Sequence, residues 1–249
     1  AGRPLKMTPS YDAQQAAGAR FGVVWGMETP QFYAPGEPDF VEEPSLRRSN
    51  AQRFIAAEVA TTRAAAGLLD TGVYARYEVS GPGAERWLDN LLASTLPTLG
   101  RVRLAPMLSP SGKLMGDLTV TRLAAERFWL VGSYYLQEWH LRWFRDHLPA
   151  SGVRLDNLSE SWLGFSLSGP RARDILARLT RADVSNGSLP FLGVSAVDVG
   201  FTQAIVARVS LTGELGYEIN VRASEQKALW NALMAAGMEF GMRPIGMRA

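Results

Sequence analysis

The stretches "YEVSGPGAERWLDNLL" at 77–92 and "FSLSGPRARDILARLT" at 165–180 say nearly the same thing. Aligned on Ser80-Gly81-Pro82 and Ser168-Gly169-Pro170, each opens on an aromatic residue and has an aliphatic residue just before the serine. Ala84 then matches Ala172, Leu88 matches Leu176 and Leu91 matches Leu179. An aromatic–aliphatic run ending at Ser-Gly-Pro predicts a strand, a turn, and a helix whose first turn takes the proline, where a missing N–H costs nothing. A Gly-rich phosphate cradle is a weaker reading, because each turn has a single central Gly and a Pro without a donor. The repeat is therefore read as a duplicated scaffold, whose two copies can face each other across a groove.

The rest of the chain fits that scheme. Before the first copy, an Ala-rich helix runs from 50 to 66, capped by Asn50 and closed by Gly67. After the first helix come short β-rich runs at 101–110, 113–123 and 127–133, with turn residues at Ser111-Gly112 and near Glu126, and then a helix over 134–148 ended by Pro149. After the second helix come "VSAVDVG", "FTQAIVARVS" and "LTGELGYEINV", then a helix over 225–236 capped by Ser224. Strands that follow each helix in groups predict an α+β fold of duplicated subdomains with antiparallel sheets, and no Gly-x-Gly-x-x-Gly fingerprint argues for a dinucleotide fold. Residues 1–49, with six prolines and one short helix expected at 12–20, read as an extended arm lying along another surface.

Composition narrows the function classes. The 249 residues are 47% hydrophobic and 20% charged, enough apolar content for a sizeable core. Lys and Arg number 26 against 24 Asp and Glu, and no stretch concentrates basic residues as a nucleic-acid groove requires. No apolar run approaches the roughly 20 residues of a membrane span. With no cysteine, thiolate nucleophiles, disulfides and Cys-bound metals are excluded. The only two histidines, His140 and His147, are about 10 Å apart on the expected helix, too far to share a metal, and read as interfacial positions. The chain has no initiator Met and stops inside a patterned segment, which reads as a piece of a longer protein.

Five residues are candidates for chemistry. Asp117, after Gly116 at the head of a strand, alternates with Leu118 and Val120 and is either a turn residue or a carboxylate presented from the sheet. Glu214, in Thr212-Gly213-Glu214, is either a hairpin turn or a ligand contact, and Arg248 is either a surface charge or a contact. Trp129 and Val131 share one strand face and read as core or as a stacking wall.

The segments "GLLDTGVYARYEVSGPGAERWLDNLL", "GKLMGDLTVTRL", "SLSGPRARDIL", "LTGELGYEINV" and "PIGMRA" occur in an order that resembles the aminomethyltransferase (T-protein) family of the glycine cleavage system. More closely, they resemble the T-protein-like half of dimethylglycine and sarcosine dehydrogenases, and the arm at 1–49 is similar to the segment joining the flavin half to the folate half in those enzymes. The resemblance implies a tetrahydrofolate-binding domain at 50–249, continued in the family by a further strand-rich subdomain beyond Arg248, with FAD on a preceding half as cofactor and partner. It implies that Asp117 is the acid beside the folate nitrogens, although T-proteins have an Asp pair where this chain has Gly116 and Asp117. It also implies that Glu214, Arg248 and Trp129 contact the pterin, with Val131 on the same wall. The reaction implied is capture of a one-carbon unit from an N-methyl amine as 5,10-methylenetetrahydrofolate, in bacterial cytoplasm or mitochondria. A folate-dependent aminomethyltransferase or demethylase and a non-catalytic folate-binding module are the alternatives, while the related iron–sulfur assembly factors carry a Cys signature that this chain lacks.

Overall fold

The computed structural model describes residues 2–249. Its elements run α1 (Tyr11–Ala16), β1 (Ala19–Val24), β2 (Met27–Tyr33), α2 (Gln52–Ala64), β3 (Gly67–Asp70), β4 (Tyr74–Ser80) and α3 (Ala84–Leu91). They continue with β5 (Val102–Leu108), β6 (Leu114–Ala124), β7 (Arg127–Ser133), α4 (Gln137–Asp146), β8 (Arg154–Asn157) and β9 (Trp162–Ser168). The last are α5 (Ala172–Leu179), β10 (Val194–Val199), β11 (Thr202–Ala207), β12 (Gly216–Arg222), α6 (Gln226–Met238) and β13 (Arg243–Ile245). One sheet has the order β5-β6-β7-β4-β8 and is antiparallel throughout. The other has the order β10-β11-β12-β9-β3-β13 and is antiparallel except where β13 runs parallel to β3.

This is the duplicated α+β architecture that the repeat predicts. Strand, helix, three strands, helix, strand describes both β4–β8 and β9–β13, and the two central strands β4 and β9 each carry a Ser-Gly-Pro turn. The letters shared by the copies are core positions: Tyr77, Val79, Ala84 and Leu88 in one, Phe165, Leu167, Ala172 and Leu176 in the other, all at 0% exposure. Each set belongs to its own apolar core, between a sheet and the two helices packed on it. The turns match in backbone as well as in sequence. Gly81 and Gly169 have φ of +113° and +125°, and a Cβ on Gly169 would stand 2.5 Å from the Thr62 carbonyl oxygen. Neither turn is a phosphate cradle, since both glycine N–H groups donate to backbone carbonyls, of Glu126 and Leu215.

Residues 2–49 depart from the irregular arm that the prolines suggest. They hold α1, which ends at Ala16, and a β1–β2 hairpin whose two turn residues, Trp25 and Gly26, have positive φ of 48° and 83°. A two-residue hairpin turn of this kind matches the twist of its strands. No Asn-Gly or Asp-Gly pair signals it, which is why the sequence hides it. Pro30 and Gln31 are tolerated because β2 bulges there, with Arg20 facing Phe32 and Phe21 facing Pro30. The carbonyls of Pro30 and Gln31 instead accept the N–H groups of Met247 and Arg248.

Smaller differences have local causes. Asn50 does not cap α2; its side chain bonds the Glu43 N–H and the Val41 carbonyl. Gly67 opens β3 rather than closing the helix, and the space a Cβ would need is taken by Thr62 and Ile245. His140 and His147 are not both interfacial: His140 is fully buried in α4, while His147 lies past its end and is exposed.

Glu58, buried in α2, accepts N–H groups from Tyr33 at 2.5 Å and Gly246 at 3.0 Å, tying the hairpin and the C-terminal segment to one helix. Burial raises its pKa from 4.5 to about 7, against the pull of those two donors. A raised native pKa means that the folded state binds the extra proton, so this contribution is full below pH 4.5 and is lost as pH rises through 7. Unfolding free energy measured at pH 5 and pH 8 should therefore fall with rising pH, by up to roughly 3 kcal/mol from this group. Glu58→Gln should flatten that dependence; an unchanged slope in urea titrations of the variant would refute the assignment.

Candidate functional site

Each sheet has helices on one face only, and the two bare faces oppose each other. At one part of the junction they touch. Trp129 of β7 meets Trp162 of β9 with ring centroids 5.1 Å apart, joined by Val131, Ile205 and Val194. Arg76 of β4 reaches across, its Nε donating to Asn220 Oδ1 of β12 at 2.8 Å. Beside this junction the sheets part around a cleft of about 550 Å³. Val102, Leu104, Asp117, Thr119, Val131 and Gly132 line it from β5, β6 and β7; Phe191, Leu192, Val209–Leu211 and Glu218 line it from the second copy. Val24 of the hairpin, Tyr74 and Met247 complete it.

Strand alternation explains which side chains enter. In β6, Leu118 and Val120 are buried in the first core while Asp117 and Thr119 face the cleft. In β12, Tyr217, Ile219 and Val221 fill the second core while Glu218 faces the cleft. The walls are thus mainly apolar, with two carboxylates from different copies of the repeat. Burial raises the Glu218 pKa, and the positive charge of Arg76 opposes that rise. Arg76 is itself fully buried, its pKa lowered to about 10 by burial, and its remaining N–H groups donate to the Thr71 and Tyr74 carbonyls and the Thr71 hydroxyl. Tyr74, also on the cleft, has its hydroxyl pushed up to about 12, chiefly by burial. An apolar slot with one exposed and one sunken carboxylate suits a flat heterocycle that offers N–H donors along one edge.

The five residues singled out in the sequence are divided by the structure. Asp117 and Val131 line the cleft together. Trp129 is 2% exposed and packs in the junction beside the cleft, its indole N–H unpaired. Glu214 lines an adjoining depression that shares Phe191, Val209 and Ser210 with the cleft. The Arg248 guanidinium bonds both oxygens of Glu42 at 2.9 Å and stacks over Phe32, while its neighbour Met247 faces the cleft. Sequence reasoning missed Glu218, although the alternation Gly216, Glu218, Asn220 against Tyr217, Ile219, Val221 marks it as the charged residue on the non-core face. It missed Arg76 too, because an arginine in a strand ordinarily signals a solvated face. Among the described residues no cluster of His, Asp and Glu could hold a metal ion.

The family described as "GCVT N-terminal domain" matches residues 10–249. The chain belongs to this GCVT N-terminal domain family. Members are tetrahydrofolate-linked one-carbon enzymes. The chain is 29% identical over its whole length to mitochondrial dimethylglycine dehydrogenase of Homo sapiens, covering 29% of that protein. It is 30% identical to the aminomethyltransferase of Bacillus subtilis over 98% of the chain and 62% of that protein. It therefore spans less than two thirds of the curated relatives it matches. The aminomethyltransferase T of Bartonella henselae superposes with a TM-score of 0.80 at 25% identity, over 98% of this chain and 60% of that one. Heterotetrameric sarcosine oxidase of Corynebacterium shares the fold at a TM-score of 0.59 and 23% identity, over 79% of this chain and 97% of that one. The match of fold to aminomethyltransferase T extends over both copies of the repeat.

Arg76 carries the electrostatics of this cleft, and removing it strands Glu218 without its countercharge and leaves Asn220 and Thr71 without a donor. Arg76→Met should cost at least about 3 kcal/mol in urea unfolding. A loss under about 1 kcal/mol would show that the buried guanidinium is not what joins the sheets.

Proposed function

We propose that the cleft binds tetrahydrofolate and that the chain is the folate-binding portion of a flavin-dependent dehydrogenase of an N-methyl amine such as dimethylglycine or sarcosine. The observation that carries this reading is the pair of carboxylates, Asp117 and Glu218, set in an otherwise apolar slot between the two copies. The match to dimethylglycine dehydrogenase along the whole chain supports the dehydrogenase. A similar match to aminomethyltransferases supports the second reading, a folate-dependent aminomethyltransferase.

When bound, tetrahydrofolate supplies the amine nitrogens that take up a one-carbon unit as 5,10-methylenetetrahydrofolate. The pterin's amino and ring N–H groups lie on one edge and match the two oxygens of Glu218, whose ionised form Arg76 favours. Val102, Leu104, Val131 and Leu192 cover the ring faces and keep water from the reactive carbon. Asp117, exposed at the cleft, accepts the proton that one folate nitrogen loses as it bonds the one-carbon unit, and the demethylated amine departs with the proton of the other nitrogen as the second bond forms. Glu214 is a further pterin contact from the adjoining depression, Arg248 becomes one only on leaving its pair with Glu42, and Trp129 packs in the junction beside the cleft. The geometry favours Glu218 over Glu214 as the carboxylate that holds the ring. FAD belongs in this proposal to a partner flavin-binding half, which would produce the iminium from the amine.

Anaerobic titration of the protein with tetrahydrofolate, followed by Trp fluorescence, should show saturable quenching. Glu218→Ala should weaken binding at least about tenfold, ~1.4 kcal/mol, and Glu214→Ala less than about threefold. Asp117→Asn should leave binding nearly intact and slow 5,10-methylenetetrahydrofolate formation by about 100-fold or more, with free formaldehyde released instead. Equal affinity in wild type and Glu218→Ala would sink the assignment of the pterin edge.

A further inference from the structure

Asp117 stands two residues beyond an irregularity in β6. Along the β5–β6 ladder, Pro106 faces Asp117 and Met107 faces Gly116, but Leu108 faces Leu114, so Met115 is an extra residue with no partner. A bulge of this kind bends its strand and redirects the side chains that follow. Gly116 then has a φ of +150°, a value that L side chains rarely adopt.

Two consecutive residues of α4 hold this bulge from the helix side of the sheet. The Trp139 indole N–H donates to the Met115 carbonyl at 2.8 Å, engaging the residue left without a ladder partner. His140, fully buried, occupies the space beneath two glycines of adjacent strands. A Cβ on Gly116 would come 3.0 Å from its Nε2, and one on Gly132 would come 2.9 Å from its Cε1. The backbone of Gly132 itself lines the cleft, so the imidazole is one layer of main chain away from it. Tyr77 fixes the ring from behind, its hydroxyl 3.2 Å from His140 Nδ1, and Nε2 is left without a partner. Ordinary packing of an aromatic ring on a sheet would use neither the indole bond to a bulged carbonyl nor a pair of side-chain-free positions.

We infer that Trp139 and His140 are positioning residues: by gripping the Met115 bulge they set the direction in which Asp117 enters the cleft. This rests on the reading of Asp117 as the proton acceptor of the folate site. Displacing a reacting group by about 1 Å is enough to cost up to 100-fold in rate.

Trp139→Phe removes the indole donor from a surface residue and keeps most of the ring; His140→Gln tests the second contact. The first measurement is crystallographic, on the full-length protein and both variants. The inference expects the Met115–Asp117 backbone to shift and the Asp117 carboxylate to move by about 1 Å or more, with the rest of the sheet in place. An Asp117 carboxylate that stays put in both variants overturns it. The second measurement is formation of 5,10-methylenetetrahydrofolate from dimethylglycine and from sarcosine, beside tetrahydrofolate affinity. Trp139→Phe should lower the rate about 10- to 100-fold with affinity within about threefold, and adding Asp117→Asn should bring no greater loss than Asp117→Asn alone. Losses that multiply overturn the inference while leaving the folate reading intact. A wild-type rate in Asp117→Asn overturns both. If the wild type turns over neither amine, the dehydrogenase reading fails, and the crystallographic comparison still decides whether α4 aims Asp117.

Discussion

The structure depends on how it buries the carboxylate of Asp70. This side chain ends β3 with 3% of its surface exposed and no basic side chain bonded to it. It is met instead by neutral donors: Gln14 Nε2 at 2.6 Å, the Gly72 N–H at 2.7 Å, the Thr8 hydroxyl at 3.0 Å and Gln226 Nε2 at 3.1 Å. Burial raises its pKa and these donors pull it back. A buried acid is tolerated only when its lone pairs are filled, so the donors must all arrive together. They come from the N-terminal segment, from the β3–β4 turn and from α6. One carboxylate thus fixes the N-terminal segment against the second sheet.

From that anchor the cleft follows. β3 leads through Thr71–Val73 directly into β4, which carries Arg76, and Arg76 bonds both Thr71 and Asn220 of the opposite sheet. The two copies are therefore joined by a short polar bridge, by the Trp129–Trp162 contact and by a β-bridge at Arg101–Gly193, where the Val102 and Val194 N–H groups donate to the Leu192 and Gly100 carbonyls. A continuous apolar junction would have closed the space between the sheets. Placing buried polar groups on the bare faces keeps them from collapsing together, and the same groups supply the cleft with its charge.

Much of this was legible in the letters. The repeated Ser-Gly-Pro stretches gave the duplication because their shared residues are core positions, which local periodicity reports faithfully. Asp117 and Val131 were legible for the same reason: alternation along β6 and β7 shows which face is bare. What was hidden depends on long-range partners. The β1–β2 hairpin turns on Trp25 in a left-handed conformation that carries no local signal. β8 and β13, of four and three residues, exist only because β4 and β3 offer them an edge. Glu218 was passed over for Glu214 because a charged residue next to a turn draws the eye before one inside a strand. Arg248 was singled out by its neighbourhood, and it is Met247 beside it that faces the cleft.

The insertion of β3 between β9 and β13 makes the two copies unequal in time as well as in shape. Every strand of the first sheet lies between residues 74 and 157, so that sheet is complete once this stretch has left the ribosome. The second needs β3, made before the first sheet, and β13, made after that sheet's other strands. During synthesis β3 must wait through the whole first copy before its neighbours exist, exposing a Gly67–Asp70 edge for longer than any other strand of the two large sheets. Ending that strand in a carboxylate guards the waiting edge against pairing with the wrong chain.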